Sequence, residues 1–143
     1  MRTRRKIVLI AFLLTATSLL LGKEPSPSKT EKKLPPGGGE PGKAYVAYFT
    51  AIEKGDVPAI KKMKLREVEG WDDDALKVWV VRMRDSVPKK VKVTGGTQKG
   101  DSATLLVTAE TIGSPSWGKV EMKKTDGLWR EADSKWSLVG PVK

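Results

Sequence analysis

From residue 43 onward the apolar positions repeat first with a helical period and then with a strand period. Tyr45, Tyr48, Phe49 and Ile52 recur at helical spacing with Ala44, Ala47 and Ala51 among them, and Gly55 stands where a helix would stop. Asp56 is placed to cap a second short helix, with Pro58 in its first turn and Ile60 and Met63 on one face. Leu76, Val80, Met83 and Val87 predict a third helix from about Asp72 to Ser86, ended by Pro88. Beyond Pro88 the alternation becomes two-fold. Val91 and Val93 alternate with lysines, and Gly95-Gly96 marks a bulge or bend. Ala103, Leu105, Val107 and Ala109 form a second strand, broken at Ile112-Gly113-Ser114-Pro115. A third covers about 117–124, Thr125-Asp126-Gly127 is a tight hairpin turn, and a fourth runs from Leu128 to about Val139. Helices followed by an antiparallel meander make this an α+β chain: N-terminal helices on a four-stranded sheet.

The first 42 residues carry a different pattern. Arg2, Arg4, Arg5 and Lys6 precede fifteen uncharged, mostly apolar residues, 7–21, closed by Gly22. A basic segment followed by an apolar one of this length is an export signal, short for a spanning helix. Cleavage after Gly22 is the first reading, although Leu20 is bulky where a small residue is preferred. The alternative is an uncleaved anchor, in which residues 7–21 would hold the protein at a membrane. The expected location is periplasmic, secreted or tethered to the cell envelope. Leu19-Leu20-Leu21-Gly22 has the form of a lipoprotein signal, but Lys23 stands where the acylated cysteine would be. Residues 23–42 hold five of the nine prolines and four glycines, and read as a flexible linker. The expected organisation is signal or anchor 1–22, linker 23–42 and one domain 43–143.

Composition removes several chemistries. The chain has no Cys and no His, which excludes a disulfide, a Cys/His zinc site, a Ser-His-Asp triad and a thiol nucleophile. No cofactor is expected. The formal charge is +10, with four positive charges in the signal. The remaining basic residues occur at most in pairs along the sequence, such as Lys61-Lys62, Lys89-Lys90 and Lys123-Lys124. That spread pattern argues against a nucleic-acid partner and reads as a solvated surface, with weak attraction to anionic lipid or polysaccharide as the sharper alternative. Asp72-Asp73-Asp74 lacks the spacing of a calcium loop, and helix capping accounts for it, so no metal site is expected.

The stretches Ala44–Asp56, Gly100–Leu105 and Val120–Arg130 together resemble an NTF2-like domain of the cystatin-like superfamily, of the kind found in bacterial exported proteins and envelope lipoproteins of unknown function. The resemblance spans about residues 43–139. It implies a curved sheet wrapped around helices as a cone with a cavity. Such domains include isomerases, dehydratases, transport factors and binding modules, so the fold does not choose among functions.

Five tryptophans, Trp71, Trp79, Trp117, Trp129 and Trp136, are many for so short a domain, and core packing is their first explanation. The functional alternative is an apolar pocket formed by Tyr45, Tyr48, Phe49, Trp79 and Trp129, with Glu131 on its wall. The last strand resists a simple alternation. If Leu128 and Trp136 face inward, so does Arg130; if Trp129 does, as the resemblance implies, Glu131 and Asp133 follow, unless a bulge intervenes. The leading expectation is a non-catalytic exported binding module that takes a small apolar ligand or a protein partner. A second is an isomerase or dehydratase using Glu131 or Asp133 with Tyr45 or Tyr48. A third is a homodimeric structural subunit, with Leu106 on the open sheet face as its hint.

Overall fold

The computed structural model describes residues 30–143. The export segment and the start of the expected linker lie outside the described residues. Five strands form one antiparallel sheet in chain order: β1 (Lys32–Leu34), β2 (Lys89–Lys99), β3 (Ser102–Thr111), β4 (Ser114–Thr125) and β5 (Leu128–Ser137). Between β1 and β2 come α1 (Gly39–Lys54), α2 (Val57–Lys62), a single 3-10 turn (Arg66–Val68) and α3 (Asp73–Ser86). The α+β expectation therefore holds, with a fifth strand added at the N-terminal edge.

That strand corrects the reading of residues 23–42 as a linker. From Lys32 the chain belongs to the fold. Leu34 pairs with Gly96 and buries its side chain to 4% exposure in the core. The Gly37 amide donates to the Val93 carbonyl at 2.8 Å. Helix α1 begins at Gly39, before Pro41-Gly42, and both of those residues are buried. Gly42 is required by contact: a Cβ there would lie 2.0 Å from the Gly37 carbonyl oxygen. The glycines that suggested flexibility are a tight turn that seats a strand against a helix.

Helix α1 is shared by two apolar clusters. Tyr45 and Phe49 face the sheet, where they meet Leu34, Val93, Leu105, Val107, Val120 and Met122. Ala51 and Ile52 face away from it, toward Ile60, Val68, Leu76 and Val80 of the other helical elements. Tyr48 and Val87 touch both clusters. The layers are thus sheet, α1, then α2 with α3. Alternation gives the sheet its inner face directly: on β3, Ala103, Leu105, Val107 and Ala109 are buried.

The local stops and starts follow the side-chain chemistry. Gly55 takes φ 69° at the end of α1, a conformation with little steric cost only for glycine. Asp56 accepts from the Ala59 amide at 3.0 Å and Asp72 from the Ala75 amide at 2.8 Å, each capping the helix that follows. Asp73 pairs with Lys61, and that hydrogen-bonded ammonium holds its carboxyl below the usual value; Asp74 pairs with Lys77 at 3.2 Å. All three aspartates therefore serve the helix terminus. The break expected at Ile112-Gly113-Ser114-Pro115 is a hairpin turn at Ile112-Gly113, with Ser114 and Pro115 already in β4. Ile112 and Gly113 both have positive φ, the two-residue form that matches strand twist. Pro115 then sits in β4 beyond the last residue paired with β5, where no amide hydrogen is needed on that side.

Two stability outcomes follow. A chain beginning at residue 43 will unfold at lower temperature than one beginning at residue 30, by about 2 kcal/mol or more, since it loses the burial of Leu34 and the pairing of β1. Gly42→Ala will cost about 1–3 kcal/mol through overpacking against Gly37. Thermal and urea unfolding followed by circular dichroism measures both.

Candidate functional site

The side chains expected to form a pocket are only partly brought together. Tyr45 and Phe49, successive turns of α1, are in edge-to-face contact with ring centroids 4.9 Å apart. Tyr48 meets Phe49 from the other side, also edge-to-face, at 5.0 Å. Trp129 packs against the same cluster from β5. Trp79 does not join them: it lies against the second cluster, between the helices. Its position on α3 follows that helix's buried stripe of Leu76 and Val80, which faces α1 and α2, not the sheet.

The geometry of β5 is set by one extra residue. Glu131 pairs with Met122 and Asp133 with Glu121, so Ala132 has no partner and the strand bulges there. Met122 is an inner-face residue, which puts Glu131 on the inner row. After the bulge Asp133 lies opposite exposed Glu121 on the outer row, while Trp136 lies opposite buried Gly118 on the inner one. Trp129 and Trp136 therefore share the inner face. The Trp136 ring lies directly on Gly118, with ring carbons 3.0 Å from where a Cβ would stand. Trp136 is the site-side aromatic missing from the expected set. Its signal was hidden by the bulge, since simple alternation from Trp129 assigns it to the other face.

Glu131 stays exposed despite its inner-row position, because β5 is the edge of the sheet. Its carboxylate nevertheless acts on both tyrosines. Tyr48 is pushed up to about 12, by burial first, then by the carboxylates of Glu67 and Glu131. Tyr45 is raised further, by burial, then by Glu131 and Tyr48. Both phenols are proton donors at any physiological pH. Among the described residues neither Glu131 nor Asp133 shares a hydrogen bond with a tyrosine, and both acids are exposed. Glu67, in the single turn Arg66–Val68, is a neighbour that no sequence spacing links to Tyr48. Arg130 is turned to structural use: its guanidinium donates to the Met63 carbonyl at 3.3 Å and to Thr125.

The open clefts on the surface of the described residues include two. One, about 120 Å³, lies between α1 and the start of β2, against Val46, Phe49, Thr50 and Val87. The other, about 160 Å³, lies at the far end of the sheet near Thr97, Ala103 and Lys123. Of the expected pocket residues only Phe49 lines either. Sites for drug-sized ligands run to about 300–1,000 Å³. Among the described residues no group of acids is arranged to hold a metal ion.

The chain is similar to a solved NTF-2-like protein. That protein, of unknown function, is from Silicibacter pomeroyi DSS-3; it is 17% identical, the match covers 67% of this chain and 90% of that one, and the TM-score is 0.44. No family model and no curated protein matches the chain.

The chain has only two tyrosines, so their titration is directly readable. Tyrosinate absorbance will remain low through pH 10, the ordinary phenol value, and rise only toward 12 and beyond. Because folding raises these values, their stabilising contribution is complete below pH 10 and is lost as pH climbs through the folded-state values. Glu131→Gln will lower both midpoints, and Glu67→Gln that of Tyr48. Unchanged midpoints in Glu131→Gln would place its carboxylate away from the tyrosines.

Proposed function

We propose that this chain is an exported, non-catalytic binding module of the cell envelope that meets its partner on its outer surface. The observation that carries the reading is the aromatic packing between α1 and the sheet. Tyr45 and Phe49 are buried there, Trp129 and Trp136 pack against them, and the Trp136 ring lies on Gly118. Of the residues expected to line a ligand cavity, Tyr45 and Phe49 are buried in the core and Trp129 packs against it. That favours a macromolecular partner over a small apolar ligand. The basic and apolar run at the N-terminus supports export.

The isomerase or dehydratase reading keeps one favourable observation: Glu131 is near enough to Tyr45 and Tyr48 to raise both. Glu131 is exposed at the sheet edge and shares no hydrogen bond with either tyrosine among the described residues, so no acid–tyrosine pair is assembled there.

Two experiments test the proposal. An apolar fluorescent dye added to the native protein will show no saturable one-to-one site, and a saturable site lost in Trp129→Ala would restore the small-ligand reading. Fractionation of cells producing the full chain, with intact-mass measurement, will place the protein outside the cytoplasm, either shortened by the signal or carrying it. Recovery of the unshortened protein from the cytoplasm would refute export.

A further inference from the structure

The sequence spreads its basic residues, but the fold collects them. Residues 39–88, which contain the helices, carry nine basic and nine acidic residues; residues 89–143, which contain four of the strands, carry ten basic and six acidic. The net charge of this part of the chain therefore resides in the sheet. By register Lys92, Lys99, Lys119, Lys123 and Lys135 stand on outer-face rows of the sheet, with Glu110, Glu121 and Asp133.

The register fixes the arrangement there. One row across the sheet reads Lys92, Thr108, Trp117 and Ser137. The next reads Gly95, Leu106, Lys119 and Lys135. Neighbouring strands are about 4.8 Å apart, so these side chains form one continuous patch. Leu106 is 45% exposed and Trp117 half-buried. No acid lies in either row. Lys119 and Lys135 are directly opposite, an arrangement that costs stability through like-charge repulsion. Glu121 and Asp133 fill the following row beside them, yet none of the four ion pairs among the described residues includes Lys92, Lys119 or Lys135.

We propose that this half of the outer sheet face is a docking surface for an acidic polysaccharide. The inference rests on the reading of the chain as a surface-binding module and supplies its partner class. The indole of Trp117 and the side chain of Leu106 offer an apolar platform to the C–H face of a sugar ring. Lys92, Lys119 and Lys135 surround the platform with point charges suited to carboxylates. Thr108 and Ser137 add hydroxyls to the Trp117 row, which can donate to or accept from sugar hydroxyls. The pattern suits a glycan better than a single-stranded nucleic acid, which is held by successive aromatic platforms along a basic groove. Only one tryptophan stands here, and the acid-free rows contain no arginine.

Binding of the full chain to alginate, a polyuronate, tests the proposal, with neutral dextran and oligo(dT) alongside. Tryptophan fluorescence will change saturably with alginate and not with dextran. The double variant Lys119→Gln/Lys135→Gln will bind alginate roughly tenfold more weakly at about 0.1 M salt, and its affinity will fall less steeply with salt. The variant Lys61→Gln/Lys62→Gln, which removes the same charge from the helical side, will bind as the parent does. Trp117→Thr, a residue suited to strands, will weaken binding without flattening the salt dependence. Circular dichroism verifies folding of each variant. Equal losses in both lysine pairs would reduce the effect to net charge and overturn the assignment. Tighter binding of oligo(dT) than alginate would replace the glycan with nucleic acid. No saturable alginate binding would remove the partner class, and leave the surface-binding reading to the dye and fractionation experiments.

Discussion

Trp129 and Trp136 are seven residues apart, and side chains at that spacing on a regular strand point to opposite faces. Here they share one face because Ala132 is unpaired against β4. That single inserted residue resolves the mixture of aromatic and charged positions on the last strand. It lets both indoles reach the core under α1 and turns Asp133 out to solvent. It leaves Glu131 on the inner row at an edge where water reaches it. The outer-row positions of Asp133, Lys135 and Ser137, and the inner-row position of Trp136, depend on this change of parity.

Helix α1 is the other organising element. Its sheet-facing side supplies Tyr45 and Phe49, its opposite side supplies Ala51 and Ile52, and Tyr48 touches both clusters. A helix apolar on two sides must be covered on two sides. The sheet covers one, and α2 with α3 covers the other. The segment before α1 completes the first layer, with Leu34 buried and Gly42 against the Gly37 carbonyl. The stability of the domain is therefore distributed across a contact between chain segments about sixty residues apart, β1 on β2. This joins the N-terminal segment to the sheet that carries the outer basic patch.

The functional picture divides along the same plane. On the inner side, aromatic side chains fill space and the tyrosines are held as neutral donors by burial and by nearby carboxylates. On the outer side, Lys92, Lys119 and Lys135 make no ion pair among the described residues around Trp117. The first arrangement stabilises the fold. The second costs some stability through Lys119 facing Lys135.

The sequence by itself determined the three helices, the four strands beyond Pro88 and the caps at Gly55, Asp56 and Asp72. Those depend on short-range rules: apolar period, aspartate capping at Asp56 and Asp72, glycine at Gly55, and the Asp126-Gly127 turn. It also marked Tyr45, Phe49 and Trp129 as associated with the core. Only tertiary structure decided the rest. A Pro/Gly stretch is a linker or a tight seat according to what lies opposite it, and for Gly37 that is Val93. Trp79 belongs with the helices because α3 packs on α1, which its own periodicity could not specify. The bulge at Ala132 arises from pairing with β4, and the basic patch from register across several strands. Both are relations between residues far apart in the chain, and no local pattern contains them.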